Sequence, residues 1–176
     1  MNDRNKEDLL KEKLRNALES TARVISDDFE FHKSLDKNKS SKKFDFLNLE
    51  NINTKNDFVK ARAESDSAAL KKKFSNNEIF KKNLPSSSSC KSLYSMAEKI
   101  RYECLGSKML KGIEKNLKDN YKQLISLKRN DQFKTKDDVP VIEAFELYMI
   151  KKFHKIKLNP LANTVSLAGD DVYQKL

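Results

Sequence analysis

From Leu93 to Ile125 the apolar residues fall at three- and four-residue steps, and no proline interrupts them. Leu93, Met96, Ala97, Ile100 and Cys104 open the stripe, and Leu105, Met109, Ile113, Leu117, Tyr121, Leu124 and Ile125 carry it on. A period near 3.6 residues puts all of these on one face, which commits the segment to helix and that face to a core. Serines 86 to 89 precede it, and Ser89 or Ser92 can cap its start. Gly106 and Gly112 each cost about 1 kcal/mol relative to alanine inside a helix. A bend or break is therefore expected near Gly106, or a neighbouring backbone passing close to it. Leu93, Ile100, Cys104, Leu117 and Tyr121 are the expected buried residues of this element.

The rest of the chain reads the same way. Only 3 Gly and 3 Pro occur in 176 residues, which excludes collagen-like, Gly/Ser-linker and Pro-rich chains and favours helices. Residues 4 to about 25 carry Leu10, Leu14, Ala17, Leu18, Thr21, Val24 and Ile25 at helical spacing, with Asn2 or Asp3 as cap and Asp27-Asp28 as the stop. A second helix starts at Asn56, with Phe58, Ala61, Arg62, Ser65, Ala68 and Ala69 on one face, and Leu70 and Phe74 extending it. Its small residues would let another helix come close. Pro140 fits the first turn of a last helix bearing Ile142, Phe145, Met149, Ile150 and Phe153. Between the first two helices the period changes: Phe29-Glu-Phe31 and Phe44-Asp-Phe46 alternate around a polar loop, which predicts a small β-hairpin. The fold class is mainly α, a multi-helix domain over residues 1–155 with a small β-hairpin near residues 29–50, inserted at about 27–55. Residues 156–176 are expected to be a weakly structured tail or the start of a further element.

Lys plus Arg is 36 and Asp plus Glu 26, a net charge of +10. Such a balance suits phosphate binding, but only six of the cations are Arg. Base readout and bidentate phosphate contacts favour the guanidinium fork, whereas Lys suits any solvated surface. The densest runs, Lys71 to Lys73 with Lys81-Lys82 and the loop Lys33 to Lys43, have no aromatic interleaving beyond Phe74 and Phe80. No run approaches the roughly 18 apolar residues of a membrane span, and the acid-containing N-terminus is unlike a secretory or transit signal. These features point to a cytoplasmic protein with no membrane partner, and weigh against nucleic acid.

Cys90 and Cys104 form no CxxC, His32 and His154 sit in no ligand motif, and neither GxxxxGK[ST] nor GxGxxG occurs. No catalytic, metal or cofactor residue is predicted. What stands out instead is a set of charged residues. Glu98 and Arg101 are three apart on the long helix, so they share a face and can pair, with Glu103 close behind. Arg62 and Asp66 are four apart on the helix before it. Partly buried ion pairs joining helices are the expected role of both sets.

At these residues the chain resembles a known family. Leu93-Tyr94-Ser95-Met96-Ala97-Glu98-Lys99-Ile100-Arg101-Tyr102-Glu103-Cys104-Leu105-Gly106 is similar to the "ifdavEqaRvEalG" signature of the CobT subunit of aerobic cobaltochelatase. Met109 to Leu117, with Gly112 and Asn116, resembles the segment that follows it. Arg62, Asp66, Ala69 and Leu70 match its R-x-x-x-D-x-x-A-L element, Leu84-Pro85 stands where the family has a proline, and Val141 to Tyr148 resembles the next helix. The resemblance implies a subunit of an ATP-dependent complex that inserts cobalt into a corrin ring during cobalamin biosynthesis. It also implies two partners, a AAA+ subunit that hydrolyses ATP and a large chelatase subunit. Cobalt, ATP and Mg would then be used by the complex and not bound by this chain. The family's metal-binding DxSxS motif has no counterpart here, so what is implied is the N-terminal helical region alone: a fragment, a split-gene product or a degenerate short form. Arg62, Asp66, Glu98, Arg101, Glu103, Gly106 and Asn116 are its structural or interface candidates. The alternative is a basic helical nucleic-acid-binding or scaffolding protein without catalytic activity.

Overall fold

A computed structural model describes residues 3–30, 52–127 and 140–158, and these are mainly helical. The chain divides into two compact units, Met1–Phe74 and Ser75–Leu176.

The first unit pairs helix α1 (Asp3–Ser26) with helix α2 (Lys55–Phe74). Leu18, Ala22 and Ile25 are the buried apolar residues of α1, whereas Leu10 and Val24, expected on the same face, are exposed. The helix stops as expected at Asp27, whose φ of 54° is left-handed. The Asp28 N–H donates back to the Arg23 carbonyl at 3.3 Å, closing a six-residue C-terminal motif. Two carboxylates at a helix C-terminus oppose its dipole. The last turn of α2 answers them, with Lys73 paired to Asp27 and Lys72 to Asp28 at 3.3 Å, so the C-terminal ends of the two helices are tied together. A reciprocal cap starts α2: Thr54 Oγ1 accepts the Asp57 N–H at 3.2 Å, and Asp57 Oδ2 accepts the Thr54 N–H at 2.9 Å. Ala61, Ala63, Ser65, Asp66, Ser67, Ala69 and Leu70 of α2 are buried.

No strand occurs among the described residues. Phe29 and Glu30, where alternation was to begin the hairpin, form a turn, and Phe29 is 76% exposed. A side chain that far into solvent cannot anchor a half-buried strand. The rest of the expected hairpin lies outside the described residues.

The second unit holds helices α3 (Asn77–Lys82), α4 (Ser88–Met109), α5 (Lys111–Leu127) and α6 (Val141–His154). Helix α4 is central, packed against both α5 and α6. Their shared core contains Leu93 and Ile100 from α4, Tyr121 and Ile125 from α5, and Ala144, Phe145, Leu147, Tyr148, Met149 and Ile150 from α6. Ile156, just past α6, is buried in it too, and Cys104 packs at its edge. Leu117 is also buried, as expected.

Three expectations shift here. The serine before α4 is Ser87, two residues earlier than Ser89, and its side chain makes no capping bond. The helix does not break at Gly106 but runs on to Met109, and one extended residue, Leu110, separates it from α5. The Leu110 N–H still donates to the Gly106 carbonyl at 3.1 Å, and the Leu110 carbonyl already accepts from Glu114 at 3.2 Å. Ladder bonds continuing on both sides outweigh the propensity cost of one glycine. Pro140 stands just before α6, not within its first turn, and its carbonyl accepts from Glu143 and Ala144. No described helix is long and apolar enough to cross a membrane.

Candidate functional site

The charged residues singled out by sequence divide into exposed and buried. Arg62 is exposed, whereas Asp66 in the same helix is only 2% exposed. Glu98 and Arg101 form a two-pronged pair: Arg101 Nε donates to Glu98 Oε2 at 2.6 Å and Nη2 to Oε1 at 2.8 Å. Ser75 Oγ also donates to Glu98 Oε1, at 2.5 Å. That pairing raises the Arg101 pKa further. Gly106 is buried in α4, and Asn116 is half-buried on α5.

Glu103 points the other way. Three residues after Ile100, it shares the core face of α4 and is 1% exposed. A carboxylate there needs donors, because an unpaired buried charge is strongly destabilising. Tyr121 supplies one, its Oη donating to Glu103 Oε2 at 2.6 Å. His154, from the last turn of α6, brings Nε2 to 3.5 Å from the same oxygen. The imidazole and phenol rings lie 4.9 Å apart, and the Lys99 ammonium stands 5.7 Å from the Tyr121 ring centre. Burial first, then the negative field of Glu103, drives the Tyr121 pKa far above the usual phenol value, so the hydroxyl stays a donor. Each helix of the unit's core thus contributes one polar group to a single point.

Of these three residues, His154 also lines a cleft of about 280 Å³. Cys104, Ser107 and Lys108 of α4 form one wall, at the three- and four-residue spacing of a single face. Glu114 and Lys118 of α5, paired at 2.5 Å, form another. Phe153, His154 and Lys155 close the third side, where Lys155 takes the left-handed conformation that ends α6. The Lys118 ammonium lowers the Glu114 pKa, and burial with the nearby Glu103 raises that of Cys104, which therefore stays a thiol. No three His, Cys, Asp or Glu side chains converge to hold a metal ion among the described residues. The chemistry on offer is hydrogen-bond donation and positive charge.

Sequence reasoning pointed to Glu103 and Tyr121 separately, and missed His154 and the cleft. A signal for His154 was present. It follows Leu147 and Ile150 at the three- and four-residue spacing of the buried α6 face, and a histidine in that register requires a polar partner.

A protein-family model described as Cobalamin biosynthesis protein CobT fits residues 10–165, most of the chain. No curated protein and no solved structure matches.

Proposed function

The chain belongs to the CobT family of cobalamin biosynthesis proteins, and on that premise we propose that it is the N-terminal assembly domain of the T subunit of an ATP-dependent cobaltochelatase. It acts with a AAA+ subunit and a large catalytic subunit, and cobalt is the cargo of the complex. The single observation that carries this reading is the family match across residues 10–165, which spans both compact units. The charged residues of α4 that the resemblance singles out are engaged within the chain itself. Glu98 and Arg101 engage each other, and Glu103 is enclosed in the core.

The positive charge favours the rival reading of a nucleic-acid-binding protein, but less than the composition alone does. Lys72 and Lys73, in the densest lysine run, are engaged by Asp28 and Asp27.

Co-expression of the full chain with the AAA+ and large subunits, followed by size-exclusion chromatography, tests the proposal. The three should co-elute, while the chain alone shows neither ATPase activity nor saturable Co²⁺ binding by calorimetry. Failure to co-elute, together with DNA affinity that falls steeply with salt, would select the rival.

A further inference from the structure

We draw no further inference here: the strongest candidate, the apolar surface line of Leu10, Ala17 and Val24 that α1 leaves exposed at seven-residue steps, carries nothing because nothing in the structure shows what covers it.

Discussion

In the α1–α2 unit the buried side chains are small, with Ala22, Ala61, Ala63, Ser65 and Ala69 beside Leu18, Ile25 and Leu70, whereas α4, α5 and α6 bury Tyr121, Phe145, Tyr148 and a carboxylate. Asp66 is buried in the first unit too, but the ion pairs that tie its two helix ends lie at the rim: the Asp27 side chain that Lys73 meets is 72% exposed. In the second unit Glu103 accepts from Tyr121 where both are 1% exposed. Polar groups at a rim can fall back on water when a partner is lost, and those in a core cannot. The first unit should therefore tolerate loss of a rim charge but not added bulk. The second should be most sensitive to loss of one oxygen.

The largest effect is expected from Glu103→Ala. It strands the Tyr121 hydroxyl in the core, at about 1–3 kcal/mol, and empties the space the buried side chain filled, so urea denaturation should show a loss of about 3 kcal/mol or more. A loss no larger than that of a surface substitution would break the contrast. Next comes the first unit's own weakness. Ala63 is 1% exposed, and Ala63→Leu should overpack its surroundings at about 1–3 kcal/mol, read by the same measurement.

The third prediction concerns pH. The folded Tyr121 pKa lies above its unfolded value, because of burial and then Glu103. Below about pH 10 both states hold the phenol proton and stability is unaffected. Above it only the unfolded chain releases that proton, so stability falls by about 1.4 kcal/mol per pH unit. Tyr121→Phe should remove this alkaline slope, and a slope that persists would assign it to other groups. The smallest effect belongs to the exposed pairs. Arg101 is 47% exposed, so Arg101→Ala should lower stability by only about 0.5–1 kcal/mol despite its two bonds to Glu98, and Lys72→Gln by less still. Both losses should shrink in high salt during thermal melts.

The helices were legible where period and punctuation agreed. Residues 4 to about 25 were expected as helix and Asp3–Ser26 is found, with the stop at Asp27 where two acids interrupt the pattern. The buried residues of α4 and α5 were legible for the same reason, because Leu93, Ile100, Leu117 and Tyr121 all keep one phase. The joint at Leu110 was not. Glycine is a local cost, and where the helix ends is decided by how α5 packs back on α4. Alternation at Phe29 misled because a period of two over three residues carries too little length to specify a strand. The cleft was illegible for a different reason. Its walls come from residues 104–118 and 153–155, and lysines at those positions look like any others until helix packing brings the two segments together.

The joint at Leu110 also makes the chain a ruler. Glu103 and Tyr121 are 18 residues apart, and every residue between them except Leu110 is helical. Adding or removing one residue on either helical arm turns the side chains beyond it by about 100°, which swings the phenol away from its carboxylate. Length along this stretch is thus as tightly fixed as the identity of the two side chains. Sister sequences that keep both partners should vary freely elsewhere in α4 and α5 yet hold this separation without insertion or deletion.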